Sequence, residues 1–239
     1  EKQSELIRPH MVQAFLRRPS HEWEKIMGDA GVPISAHRSC HEWIRTSHAH
    51  DSGLVGTDST GQRVVGPLTW TNPSVDRVTK TSHDGDVMTS VRVLDLCNVI
   101  AGPTIGCMLA RFGAIVTKID PVKPMYAPDV TVVYGVVVNI GKKSILLDIS
   151  SPFGRTVLER LIRDSDVILV NATSNCLTRM GLTDSTVGEI NPDAILMRFD
   201  AWGGPNEDQG RMSQFVGYDD NVQAGIGIMH RFGGGIGTV

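Results

Sequence analysis

Three short stretches carry residue types that can do chemistry. Val93-Leu-Asp-Leu-Cys-Asn-Val-Ile-Ala-Gly-Pro103 reads as a strand running into a tight turn, with Ala101-Gly102-Pro103 opening a helix. Small residues there admit a ligand to the backbone, and a helix N-terminus favours anions. A compact strand-to-helix turn has the same pattern. Gly141-Lys142-Lys143-Ser144 sets two lysines at a loop mouth, to meet a phosphate or to stand solvated. It lacks the glycine spacing and the following helix of a P-loop. Gly233-Gly234-Gly235-Ile236-Gly237 follows no clear strand and opens no visible helix, which argues against dinucleotide binding. Its glycines suit a loop that closes over a reactive intermediate.

Other constellations are weaker. Cys40, His41, His48, His50 and Asp51 hold ligand types within a dozen positions, but match no standard zinc spacing, so no metal is expected. Asp219 and Asp220 offer an acid site or, more commonly, a helix cap. Gly-x-Ser-x-Gly is absent, and no Ser/His/Asp set announces itself.

The elements that position these residues follow from periodicity. Val91–Leu96, Ile115–Ile119, Ser144–Ile149, Val167–Val170 and Ala194–Phe199 read as strands. Helices are expected at Pro103–Phe112, at Pro152–Arg163 with Ser151 as cap, and around 175–180 and 185–190. Nearly continuous apolar strands alternating with helices predict an α/β fold: a Rossmann-like, mostly parallel sheet with helices on both faces. Ligands of such sheets lie beyond the carboxyl ends of the strands, where the loops 97–102, 120–143, 171–175 and 200–218 gather. Further forward, 4–16 has the spacing of an amphipathic helix. A second helix starts at Ser20, read as its cap, and ends at Ala30-Gly31. An extended segment, Gln62–Val65, leads into a turn at Gly66-Pro67, and the polar stretch 73–89 reads as a linker.

Composition narrows the partners. The 239 residues carry 23 Lys and Arg against 26 Asp and Glu, without the basic excess that a phosphate backbone needs, so nucleic acid is not expected. No apolar run reaches the roughly 18 residues of a membrane span. Four widely spaced cysteines without Cys-x-x-Cys suit a reducing compartment, the cytoplasm. A start without methionine and a glycine-rich end make the chain read as a piece of a longer protein.

From Val91 onward the chain resembles the class III CoA-transferase family, CaiB/BaiF, which includes formyl-CoA transferase and α-methylacyl-CoA racemase. The matching pieces come in order: Val93-Leu-Asp…Ala101-Gly-Pro103, Phe112-Gly-Ala-Ile-Val-Thr-Lys-Ile-Asp120, Lys142-Lys-Ser-Ile-Leu-Leu-Asp148, Gly154-Arg, Asp166-Val-Ile-Leu-Val-Asn171, Arg179-Met-Gly-Leu182, Asn191-Pro192, Gly203-Gly-Pro205 and Gly217-Tyr-Asp219 with Gln223-Ala224. Glu22-Trp23, Ala30-Gly-Val-Pro33, Glu42-Trp43 and Gly66-Pro67 resemble the C-terminal part of such a unit. The resemblance therefore implies a tandem member, similar to the dimethylsulfoniopropionate CoA-transferase/lyase type. Residues 1–72 would close one unit, 73–90 would link, and 91–239 would open the next.

The resemblance also implies an activity. CoA would move between carboxylic acids through an aspartyl-CoA intermediate, with acyl-CoA and an acceptor acid as substrates and no metal. Its CoA-binding residues would be Asn98, Val99, Ala101, Lys142, Lys143, Asn171 and Arg179, with Tyr218, Gly233, Gly234 and Gly235 on the substrate side. The nucleophilic aspartate would fall beyond Val239, leaving this stretch without activity of its own. A homodimer, or an intramolecular pseudo-dimer of tandem units, would be the assembly. Two departures stand out: Asn171-Ala-Thr-Ser-Asn175 lacks the family's aromatic contact, and Pro121 replaces an arginine of formyl-CoA transferase. A racemase would carry a histidine base where Tyr218 stands, and a phenol of ordinary pKa near 10 is a poor base at neutral pH. A non-catalytic CoA-binding scaffold unit is the remaining alternative.

Overall fold

In the computed structural model, residues 2–61, 63–65, 87–124, 128–204 and 209–233 are described. The chain divides into two compact units, Glu1–Thr69 with Ala201–Val239, and Trp70–Asp200. Each is taken by itself.

The first unit contains α1 (Lys2–Phe15), α2 (Ser20–Asp29), α3 (Cys40–Trp43), α4 (Ser47–Asp51), β1 (Val55–Thr57) and β2 (Arg63–Val65). The second contains β3 (Arg92–Asp95), α5 (Ala101–Arg111), β4 (Ile115–Asp120), α6 (Pro128–Val138), β5 (Lys143–Leu146), α7 (Pro152–Arg163), β6 (Val167–Val170), α8 (Ser174–Met180), α9 (Asp184–Ile190) and β7 (Ile195–Arg198). The first unit resumes with α10 (Asp219–Ile226) and α11 (Ile228–Phe232).

The second unit is the α/β fold that the periodicity predicts. Its five parallel strands run in the order β5-β4-β3-β6-β7. Alternation along the central strands sends successive side chains to opposite faces. Leu94, Ile168 and Val170 pack with Leu158 and Ile162 of α7, Leu177 of α8 and Val187 of α9. Val93, Val116 and Leu169 pack with Ile105 and Leu109 of α5. Both faces are thus covered, which is why β6 is apolar throughout and β3 is apolar at Val93-Leu94 between its charged ends Arg92 and Asp95. The chain builds outward from β3 through β4 to β5, then crosses back to place β6 on the other flank of β3. The order reverses between β3 and β6, the switch point beyond whose carboxyl ends sheets of this kind offer a ligand crevice.

Local chemistry explains most boundaries. Ser151 caps α7, accepting the Gly154 N–H at 3.0 Å. α8 ends on Gly181 with φ 62°, a conformation costly for other residues. β5 stops short of the expected Ile149, because Asp148 turns the chain by accepting the N–H and hydroxyl of Ser150. The expected cap Ser20 is instead the first helical residue; Pro19 takes the cap position and no side chain bonds there. α6 falls inside a stretch read as loop. Gly66-Pro67 and most of the expected linker lie outside the described residues.

In the first unit Trp43, Val55, Trp202, Met212 and Phe215 form the core. Segment 35–38 runs beside α10: the Arg38 N–H donates to the Ala224 carbonyl at 3.0 Å, and the Ser35 hydroxyl to that of Asn221. Arg38 forks onto both oxygens of the buried Glu24, at 2.7 Å each. Burial alone raises the Glu24 pKa, but the Arg38 fork and the Ala36 N–H hold it below the ordinary value.

Candidate functional site

The crevice between β3 and β6 is built from two turns. After Asp95 the chain leaves the sheet through Cys97, Asn98 and Val99, then enters α5. After Val170 it leaves through Asn171 into α8. Asn171 bridges them: its Oδ1 accepts the Asn98 N–H and its Nδ2 donates to the Asn98 carbonyl, each at 2.8 Å. The side-chain amide does for Asn98 what a neighbouring strand would do.

Val99 has φ 65°, a left-handed conformation that a β-branched residue avoids. Such outliers persist only where surrounding contacts dictate them, and they collect at functional sites. The bend aims the chain into α5, whose cap residue Ile100 offers no side-chain hydrogen bond. The first-turn N–H groups are therefore left for an anion or water. Ala101 is exposed and Gly102 is packed against Cys97, so little bulk stands over this turn. A phosphate or thioester oxygen fits that environment.

The two lysines of the loop separate. Lys143 opens the edge strand β5 and is exposed. The Lys142 side chain is 1% exposed and forms an ion pair of 2.6 Å with Asp95, itself 0% exposed. Lys142 also donates to the Pro103 carbonyl at 2.7 Å and to Asn139 at 3.0 Å. Its three donors are spent, leaving none for a phosphate in this geometry. Arg179, in the last turn of α8, is exposed beside an open depression of about 450 Å³ lined by Ile149, Ser150, Ser151, Pro152, Arg155 and Met180.

The structure therefore brings Asn98, Val99, Ala101 and Asn171 to one crevice, with Lys142 beneath it. Tyr218 and Gly233 belong to the other unit, each exposed; Gly234 and Gly235 lie outside the described residues. Asp219 and Asp220 occupy the first turn of α10, where carboxylates favour the helix dipole. Cys97 is no nucleophile: burial, then the Asp95 carboxylate, push its thiol far up. Among the described residues no three of His, Cys, Asp and Glu converge as metal ligands. His48 of the metal-like set is buried beside Trp43 and Trp202, and its Nδ1 accepts the Met212 N–H at 3.2 Å. Among those residues no helix is long and apolar enough to cross a membrane.

Two residues with a structural hold on the crevice escaped the sequence reading: Asp95 and Lys118. Their signal is a charge inside an otherwise apolar strand, which demands a buried partner.

Comparison with known proteins bears on this geometry. The family model of CoA-transferase family III matches residues 88–237. A CoA-transferase/lyase, DddD, from Marinomonas sp. strain MWYL1 is 34% identical over 271 residues, covering 98% of this chain and 32% of its own. Formyl-CoA:oxalate CoA-transferase from Rhodopseudomonas palustris strain TIE-1 is 40% identical over 129 residues, covering 49% of this chain and 30% of its own. A CaiB/BaiF family protein from Brucella suis superposes with a TM-score of 0.50 at 26% identity, over 58% of this chain and 39% of its own. The chain spans about a third of the length of these relatives.

Proposed function

Because the chain belongs to CoA-transferase family III, we propose that its whole protein moves CoA between carboxylic acids, with CoA held over the β3–β6 crevice of this unit. The observation that supports this most is the Val99 turn, a bent backbone delivering the uncapped start of α5 to the crevice where the strand order reverses. In this reading Asn98, Val99 and Ala101 present backbone groups to the ligand, Asn171 holds their turn, and Lys143 and Arg179 meet the phosphates. Charge-assisted bonds to phosphate are the strong ones.

The transfer itself needs a carboxylate nucleophile, so that one difficult exchange becomes two easier ones. In this reading that aspartate comes from outside this stretch. Tyr218 and the glycines from Gly233 to Gly235 would face the acyl group. Residues 1–72 would close a preceding unit and 91–239 open a following one, so that a tandem or dimeric assembly completes the site. Similarity over nearly the whole chain to a CoA-transferase/lyase supports a coupled lyase step over a simple exchange.

The test is calorimetric titration of CoA into the full-length protein. Lys143→Ala and Arg179→Ala are each expected to weaken binding by about 1.5–3 kcal/mol, the range for a lost charged hydrogen bond. Unchanged affinity in both would refute the placement.

A further inference from the structure

Three buried charges, Asp95, Lys118 and Lys142, lie under the Val99 turn, and both ammonium groups spend all their donors there. Asp95 accepts the Cys97 N–H at 2.9 Å on one oxygen and the Lys142 ammonium on the other. Lys142 ties this carboxylate to the first turn of α5, through the Pro103 carbonyl, and to Asn139 just after α6. Lys118, buried in β4, donates to the carbonyls of Cys97, at 2.7 Å, and Ile119, at 3.0 Å, and pairs with Asp120 at 2.8 Å.

Each ammonium has three donors, and each lysine uses three. Together with Asn171, these side chains satisfy all four backbone polar groups of Cys97 and Asn98. The next residue is the one in the left-handed region. A valine there is strained, and an unanchored turn would relax to the extended region. The anchors on its two preceding residues, and the Lys142 bond to Pro103 behind it, leave no room for that relaxation.

We infer that Lys118 and Lys142 are positioning residues for CoA: Lys118 through the Cys97 carbonyl and Lys142 through Asp95 and the Pro103 carbonyl hold the 97–99 turn in its binding shape, and Lys142 acts on the ligand without touching it. The inference rests on the reading that CoA lies over the β3–β6 crevice. A lysine that met a phosphate would leave a different signature, because an exposed charge pair is screened by salt and a buried one is screened much less.

The experiment titrates CoA into full-length protein at low and high salt. Lys142→Met should weaken binding about tenfold or more, as the loss of a supporting outer-shell partner does, while keeping the salt dependence of the parent. Lys143→Met should weaken binding and flatten that dependence. Adding Val99→Gly to Lys142→Met should recover much of the affinity, since glycine takes this φ without cost. A flattened salt dependence in Lys142→Met, an unchanged affinity, or no recovery with glycine overturns the proposal. Should Lys142→Met fail to fold, hydrogen exchange on the parent decides. The amides of Cys97 and Asn98 should exchange as slowly as those of β3 and β6; exchange at exposed-loop rates overturns it. If the parent binds no CoA, the underlying reading has failed, and slow exchange at these amides would show that the anchoring itself stands.

Discussion

A Cβ added at Gly106 would stand 2.7 Å from the Asp95 Oδ2 atom. The buried Asp95–Lys142 pair lies against α5 only because that helix has no side chain at this point. Lys142 Nζ would be 3.1 Å from the same Cβ, so neither partner has a retreat.

Gly106→Ala is therefore expected to destabilise the protein, although alanine is the better helix former by about 1 kcal/mol. Overpacking costs about 1–3 kcal/mol, and disturbing a buried ion pair adds to it. Urea unfolding should show a lower midpoint. A raised midpoint would mean that the pair sits elsewhere.

Asn171→Ala removes both partners of the Asn98 backbone. A buried donor or acceptor left unsatisfied costs about 1–3 kcal/mol. The expected outcome is a loss in that range, together with weaker CoA binding. Asn171→Asp keeps the acceptor but turns a carboxylate oxygen against the Asn98 carbonyl, so in calorimetry it should lose at least as much as the alanine variant.

Acid should destabilise the first unit in two windows. Burial pushes the His48 imidazole below its ordinary 6.5. The unfolded chain then takes up a proton first, so stability falls as pH drops below about 6.5 until the folded value is reached. Glu24 is held below its ordinary 4.5 once the Arg38 fork outweighs burial. Its contribution is present above that value and is lost as pH falls through the folded one. Denaturant midpoints from pH 7 down to about 4 should show both slopes. His48→Gln should remove the upper one and leave the lower.

Asp219→Asn in the full-length protein should leave CoA exchange intact. Asp219 sits at the start of α10 and accepts the Gln223 amide at 2.6 Å, a helix-start role. Losing a charge there costs about 0.3–1 kcal/mol. Abolished turnover with retained folding would make Asp219 the nucleophile and overturn its placement elsewhere.

What the sequence disclosed, and what it hid, follows from how many local signals agreed. At α7, a capping serine, a proline in the first turn and the apolar stripe Leu158–Ile162 all point one way, and the expected bounds are the observed ones. At α6, Thr131-Val-Val-Tyr-Gly-Val-Val-Val138 is β-branched around a glycine, a poor helix by propensity. The helix there comes from topology, since parallel strands β4 and β5 need a crossover. The paired lysines read alike in sequence, yet one is a strand-edge residue and the other a buried counterion. That distinction needed Asp95, whose side-chain direction no local pattern discloses.

The Asn98–Asn171 bridge also sets when the site comes into being. Its halves are 73 residues apart, and every anchor from β6 arrives after β4, α6, β5 and α7 have been made. Until then β3 has β4 on one flank and nothing on the other. The growing chain carries an apolar edge, Val93-Leu94, open to pairing with other chains. Docking of β6 closes that edge and completes the crevice in one event. The long loop closure makes this pairing an intrinsically slow step. Ligand competence and protection from aggregation are therefore acquired together, only once β6 has followed β3 by more than seventy residues.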